Sequence, residues 1–347
     1  MSEKDSVMQK LVGFGDFMLR LNPEGHLRFI QAERFEANYT GAEANVCVSL
    51  SRFGVSTEFV TKLPENDIAE AGISVLKKYG VGTAHIAFGG ERMGVFYAEK
   101  GASQRASTIV YDRMHTSIAT CKFTDFDWDA IFDGATHFHI TGITPALSET
   151  MPEVTLAACK KAKEKGLTIS CDLNYRKKLW TEEQAKVCMV QIMPYIDILV
   201  ANEEDAEKVL GIRSTGSDVT QGTLNHEGYV DVARQIHDLY GTKIVAITLR
   251  KSINASENEW SAMVYTEGKA YFSRNYVIHL VDRIGGGDSF SAGLLYGVMQ
   301  NYPPQEMIEF AAAASCLKQT IEMDFNLATV AEVLTLVGGD ESGRIQR

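Results

Sequence analysis

The 347-residue chain predicts an α/β fold: a mostly parallel central sheet with helices on both faces, and a small β-sheet lid over it. Three observations carry that prediction. From about residue 135 onward, strand-like and helix-like segments alternate regularly, as βαβ units require. Hydrophobic residues make up 45% and charged residues 23%, enough for a packed core with a solvated surface. Between Gly94 and Asp112 two alternating strands follow one another with no helix between them, which favours antiparallel pairing over a crossover.

In chain order, Leu11–Phe17 is apolar enough for a first strand, followed by a polar-aromatic stretch to Tyr39. "GAEANVCVSLSRFG" mixes two periods, but its small residues and closing Gly54 favour a helix with a glycine cap. "TEFVTKL" reads as a strand, and Asp67–Lys78 as a helix closed by Gly80. The alternating strands Gly94–Ala98 and Ala106–Asp112 carry Tyr97 and Tyr111, with Arg113 just beyond. Then come "ATHFHIT" (strand), Glu149–Lys165 (helix), "LTISCDLN" (strand), Thr181–Met193 (helix), "DILVANE" (strand) and Asp205–Leu210 (helix). A Ser/Thr/Gly-rich loop, "RSTGSDVTQGTLNHEG", precedes a helix Tyr229–Tyr240 and the continuous strand "KIVAITL". "WSAMVY" and "KAYFSRN" form a hairpin across "TEG", and two helices start near Asp288 and Pro304. The expected organisation is one domain over residues 1–340, a lid drawn from about 18–40 and 92–118, and a frayed tail at 341–347.

Net charge is −11, which argues against a phosphate-binding basic surface and so against nucleic acid as partner. No apolar run reaches membrane-spanning length and the start lacks a secretory h-region, so the expected location is cytoplasmic. Six scattered cysteines form no C-x-x-C pair and read as free thiols. "GFG" at Gly13–Gly15 fails as a dinucleotide fingerprint, because Met18 stands where a third glycine is needed. No P-loop and no G-x-S-x-G elbow occurs. His137 and His139 share one strand face but have no evident third metal ligand, so packed strand histidines are the simpler reading. Lys160–Lys165 is a solvated helix face.

"VDRIGGGDSFSAG" demands another explanation, because three glycines open a helix they are poor at supporting. A helix N-terminus offers unpaired N–H groups and the positive end of the dipole. Glycines let an anion approach those groups without a Cβ in the way. Asp288 at the same place needs no function if it only caps the helix. Beside an anion hole, however, a carboxylate is useful as a base for an attacking hydroxyl, and phosphoryl transfer needs that pair of devices. Ser291, Ala292 and Gly293 keep the next turns slim, for close packing on the sheet.

At Asp282-Arg-Ile-Gly285-Gly286-Gly287-Asp288 the chain resembles the D-T-x-G-A-G-D signature of the ribokinase-like carbohydrate kinases, the PfkB family. Thr40-Gly41-Ala-Glu-Ala-Asn45 is similar to the family's G-G-x-x-x-N helix start, with Thr40 at the first glycine. The likeness covers essentially the whole chain, and within the family it is strongest to the 2-keto-3-deoxygluconate kinases, through "GAEANV", "VDRIGGGDSFSAGLLYG", "SCLKQTIEMDFN" and Asp172-Leu-Asn174-Tyr-Arg176.

The resemblance implies a ribokinase-like three-layer fold and ATP- and Mg2+-dependent phosphorylation of the 6-hydroxyl of 2-keto-3-deoxygluconate. By the same likeness Asp288 is the base, the Gly285–Gly287 backbone the anion hole, and Gly41, Asn45, Tyr97, Tyr111 and Arg113 line the sugar pocket. Arg176 reaches both substrate and phosphate; a substrate carboxylate gives the arginines a task, and Arg105 is a weaker candidate. "ANEED" resembles the family's N-x-x-E element, with Asp205 at the last position, so Asn202 belongs to the nucleotide side and Glu204 or Asp205 acts indirectly on the metal. The family's T-L-G-x-x-G turn is replaced by Thr248-Leu249-Arg250-Lys251-Ser252 and an inserted "INASENEW", which puts Thr248 and Arg250, or Lys251, beside the nucleotide. Asn326 falls on the adenine side, a monovalent cation near Asp282 stays open, and a homodimer or higher homo-oligomer is expected. Two other readings stand beside this one: a kinase of a neutral sugar such as fructose or ribose, and a catalytically silent sugar-binding protein on the same fold.

Overall fold

Strands buried on both faces read as unbroken apolar runs, and their alternate side chains must enter different layers. The computed structural model, which describes residues 9–214 and 226–339, shows this sorting directly. Val12 and Phe14, Leu199 and Ala201, and Val245 and Ile247 enter one core; Leu11, Ile198, Val200 and Ala246 enter the other. Helices Met151–Glu164, Glu182–Ile192 and His226–Tyr240 close the first core. Helices Ala42–Arg52, Asp67–Lys78, Gly286–Met299 and Pro304–Lys318 close the second.

The strands are β1 (Lys10–Phe14), β2 (Met18–Asn22), β3 (Glu36–Thr40), β4 (Ser56–Val60), β5 (Lys62–Leu63), β6 (Ala87–Phe88), β7 (Gly94–Glu99), β8 (Thr108–Asp112), β9 (His137–Thr141), β10 (Thr168–Asp172), β11 (Ile198–Asn202), β12 (Ile244–Ser252), β13 (Glu257–Thr266), β14 (Lys269–Phe272) and β15 (Tyr276–His279). The large sheet has the order β14-β13-β12-β11-β10-β9-β1-β4, with β15 also paired to β13. It is parallel from β4 through β12 and antiparallel from β12 to β15. The second sheet, β3-β2-β7-β8, is drawn from the two segments expected to form a lid. Its β7–β8 pairing is antiparallel, as the absence of an intervening helix implies, while β2 and β7 run parallel.

Several expectations change. The apolar start is two strands: β1 ends at Phe14 and β2 turns away into the second sheet at Met18. The strand expected at "KIVAITL" runs further, because β12 continues through "TLRKS" to Ser252 and pairs with β13 along its length. The second half of the "INASENEW" insertion is the start of β13, and strand β15 and a helix at Val330–Val337 are further elements. Gly293 and Gly297 serve helix–helix packing, not packing on the sheet. A Cβ on Gly293 would lie 2.8 Å from Ala311 Cα, and one on Gly297 2.7 Å from Met307 Cγ. All six cysteines are free. His137 and His139 are packed strand residues, pushed by burial down to about 4 and about 3. Among the described residues, no helix is long and apolar enough to cross a membrane. The expected tail at 341–347 and most of the Ser/Thr/Gly-rich loop lie outside the described residues.

Candidate active site

The glycine turn sits where the helix Gly286–Met299 begins. Gly285 has φ +82°, a left-handed conformation that favours glycine, and a Cβ there would collide with the Asp324 carbonyl oxygen. A Cβ on Gly287 would meet nothing within 4 Å, so that side of the turn is open. No side chain caps the helix start. The first-turn N–H groups and the dipole are thus left for an anion. From behind, Ser315 Oγ donates to the Gly286 carbonyl at 2.7 Å, and the Gln319 carbonyl accepts from Val281 N–H at 2.9 Å.

Asp288 is the third residue of this helix, and the cap position belongs to Gly285, so the capping explanation of this acid does not hold. Its Oδ2 accepts a 2.6 Å hydrogen bond from Asn45 Nδ2, and Asn45 Oδ1 accepts from Thr40 Oγ1 at 2.9 Å. The chain Thr40–Asn45–Asp288 fixes the carboxylate. Burial pushes Asp288 up to about 6, against the pull of the Asn45 hydrogen bond and the Arg176 charge.

The second sheet lies over the turn: Ile284 packs against Met18, Phe96 and Ala98. Pairing register decides which aromatic residues share that face. Tyr111 stands opposite Phe96, and their rings are 5.5 Å apart; Tyr97 stands opposite Val110, on the other face, edge-on to Phe35. Tyr111 therefore belongs with the site and Tyr97 does not, which corrects the expectation that both line one pocket. Phe96 occupies the facing position instead.

Arg113 is buried with its guanidinium 4.4 Å from the centre of the Tyr111 ring. Its Nη1 is 3.8 Å from the Asp16 carboxylate, and its Nε has no hydrogen-bond partner. Asp16 is itself buried, and neither of its oxygens accepts a well-formed hydrogen bond; burial raises its pKa while Arg113 and the Phe17 N–H lower it. Buried donors and acceptors left this incomplete call for a polar ligand. Gly41 opens the helix Ala42–Arg52 and must be small, because a Cβ there would run into the Asp16 carbonyl oxygen. Arg176 is exposed at the end of the β10 connection, and its charge acts on Asp172, Asp205, Asp288 and Arg113. Arg105 is not with them: it pairs with Glu99 at 2.8 Å and donates to the His26 carbonyl.

On the expected nucleotide side the residues divide. Asn202 Oδ1 accepts from the N–H groups of Glu204 and Asp205, each at 2.9 Å, as a helix cap. Thr248 lies beside Asn202 on β12, at the carboxyl end of the parallel strands. Arg250 is exposed and near both Glu204 and Arg283. Lys251 is engaged across the hairpin with Glu259 at 2.9 Å. Asn326 is buried with both polar ends used, donating to Ser289 Oγ at 2.8 Å and accepting from Ala328 N–H at 3.0 Å. Its side chain braces the start of the helix Gly286–Met299. Glu204 pairs with Lys208, and Asp205 is buried and accepts from Tyr175 N–H. Among the described residues, no group of three or more acidic, histidine or cysteine side chains is placed to hold a metal.

Three features escaped the sequence reading. Asp16 follows the "GFG" that was weighed only as a dinucleotide motif. Glu43, buried and pushed up to about 7, accepts from Thr141 N–H, Thr141 Oγ1 and Thr144 Oγ1, tying the Ala42–Arg52 helix to the end of β9. Arg20 joins Asp282 and Asp324 from β2. The available signal was a charged residue just after a strand for Asp16, inside a strand for Arg20, and among small and apolar residues of a helix start for Glu43.

Residues 8–322 match the pfkB family carbohydrate kinase profile. The crystal structure of 2-dehydro-3-deoxygluconokinase from Thermotoga maritima has a TM-score of 0.92 and 49% identity, over 95% of this chain and 98% of that one. A PfkB family carbohydrate kinase from Listeria grayi has a TM-score of 0.89 and 33% identity, over 95% of this chain and 100% of that one. The 2-dehydro-3-deoxygalactonokinase of Haloferax volcanii is 31% identical over 335 residues, 96% of this chain and 98% of that protein. With a family match along most of its length and relatives that cover it almost end to end, the chain belongs to the pfkB family and is a carbohydrate kinase.

Proposed function

We propose that this kinase phosphorylates the 6-hydroxyl of 2-keto-3-deoxygluconate (2-dehydro-3-deoxygluconate) at the expense of ATP, as one unit over residues 1–340 with the second sheet as its lid. The carrying observation is that Arg176 acts on both Asp288 and Arg113, while Arg113 stands beside the under-coordinated Asp16. A guanidinium binds a substrate carboxylate through two charge-assisted hydrogen bonds, a task no neutral sugar sets. The name of the Thermotoga maritima relative supports the same substrate.

In this reading Arg113 holds the substrate carboxylate, and Asp16 accepts hydrogen bonds from sugar hydroxyls. Asp288 takes the proton of the 6-hydroxyl as that oxygen bonds to the γ-phosphorus of ATP. The bond from the γ-phosphorus to the bridging oxygen breaks, and ADP leaves. The Gly285–Gly287 N–H groups and Arg176 hold the negative charge on the phosphoryl oxygens. Thr248 and Arg250 face the nucleotide from β12. Mg2+, when bound, neutralises charge on the nucleotide phosphates. The residues present fit an ion held mainly by those phosphates and water, since no protein cluster is available among the described residues.

The test is ADP release measured over keto-deoxy acids, their C4 epimers, fructose and ribose. The acid should give the highest kcat/KM, and faster turnover of a neutral sugar would overturn the reading. The galactonate-derived epimer is the second candidate, favoured by the name of the Haloferax volcanii relative; the same screen separates the two.

A further inference from the structure

Lys318 ends the helix Pro304–Lys318 and is completely buried, and none of the roles described above uses it. A buried ammonium must be paired or ligated. Its Nζ donates to the carbonyl oxygen of Asp282 at 3.0 Å and faces that of Ile321 at 3.5 Å. These carbonyls belong to the two segments that build the glycine turn. Asp282 opens the turn, and its Oδ1 accepts from Ile284 N–H at 3.1 Å. Ile321 begins the loop to Asp324, whose carbonyl oxygen lies against Gly285.

The cluster is closed from the lid side by Arg20, which reaches Asp282 at 2.7 Å and Asp324 at 3.0 Å. Two buried cations thus face two buried carboxylates. Carbonyl oxygens in a negative field, beside an anion-binding turn, are what a bare monovalent cation would also seek. Here an ammonium tethered to the chain already uses them, so the residues near Asp282 do not fit a free ion there. Burial alone would drive the proton off Lys318, and its pKa is lowered; the charges of Asp282 and Asp324 oppose that loss.

We infer that Lys318 is the resident cation of the glycine turn, a positioning residue that holds the Asp282–Gly285 backbone with its N–H groups toward the nucleotide and makes the turn independent of added monovalent cations. The inference rests on reading that turn as the phosphate site, as proposed above.

The experiment is calorimetric binding of MgADP to the full-length protein at constant ionic strength, in tetramethylammonium, potassium and ammonium buffers. This readout needs no knowledge of the sugar. Wild type should bind MgADP with affinities within about twofold across the three buffers. Lys318→Ala should bind at least about fivefold more weakly in tetramethylammonium, with part of the loss restored by ammonium or potassium, which fit the vacated space. A merely structural lysine would give no such ion-specific rescue. Potassium strengthening wild-type binding severalfold, or Lys318→Ala binding like wild type, would overturn the inference and leave the kinase reading intact. Failure of wild type to bind MgADP at all would remove the phosphate-site reading and the inference together. If Lys318→Ala does not fold, the wild-type potassium titration decides alone.

Discussion

Asp288 is held between two opposing influences: burial raises its pKa to about 6, while Asn45 and Arg176 favour the charged form. A base of that strength is mostly ionised at neutral pH yet can still accept a proton. The acidic limb of kcat/KM should therefore fall near pH 6, measured by ADP release from pH 5 to 8. Asp288→Asn should lower kcat on the order of 10²–10⁴-fold, and retention of most of the rate would remove the base assignment. Stability should move the other way. Because the folded pKa lies above the ordinary 3.8, the folded protein binds more protons between about pH 4 and 6, and stability is lost as pH rises through that window. The ionised carboxylate costs roughly 2–3 kcal/mol at neutral pH, so Asp288→Asn should melt no lower than wild type in a calorimetric scan. Arg113→Ala should raise KM for the acid sugar at least about tenfold, with little change in KM for ATP, in steady-state kinetics.

At the scale of elements, the glycine turn and β8 illustrate different degrees of legibility. The glycine run was readable because only glycine combines positive φ, close approach to a carbonyl and an open N–H face. Gly285→Ala violates the first two at once, and should lower stability by about 1–3 kcal/mol in urea titration while reducing kcat. Strands β7 and β8 were also readable, down to their antiparallel pairing. Which of their tyrosines faces the site was not, since facing depends on register and a shift of one residue exchanges the faces. The extent of β12 was unreadable for a related reason. Arg250 and Lys251 lie beyond the apolar run, on a strand whose partner, β13, supplies the pairing hydrogen bonds and a carboxylate for Lys251.

Across the whole molecule, Arg20 is the connection that sequence order hides most completely. It sits on β2, yet its guanidinium bridges Asp282 and Asp324, and Asn38 of β3 also donates to Asp324 at 3.1 Å. The second sheet is thereby anchored to the back of the glycine turn. Removing one member of a buried ion cluster strands the others, so Arg20→Met should cost about 3–5 kcal/mol in urea unfolding and loosen the lid to limited proteolysis. An unchanged midpoint would remove Arg20 from the contacts that hold the second sheet to the glycine turn.

Local chemistry is what the sequence determined by itself: the layered α/β architecture, the glycine turn with its acid, the Thr40–Asn45 helix start, and the two segments of the second sheet. Each follows from periodicity, backbone freedom or a short motif, and such signals are written in neighbouring residues. Tertiary structure alone decided that Asp288 pairs with Asn45, that Asp16 joins Arg113, that Tyr97 turns away, and that Arg20 and Lys318 meet around Asp282. Those outcomes depend on register, burial and charge pairing between residues as many as 304 positions apart, and no local pattern encodes them.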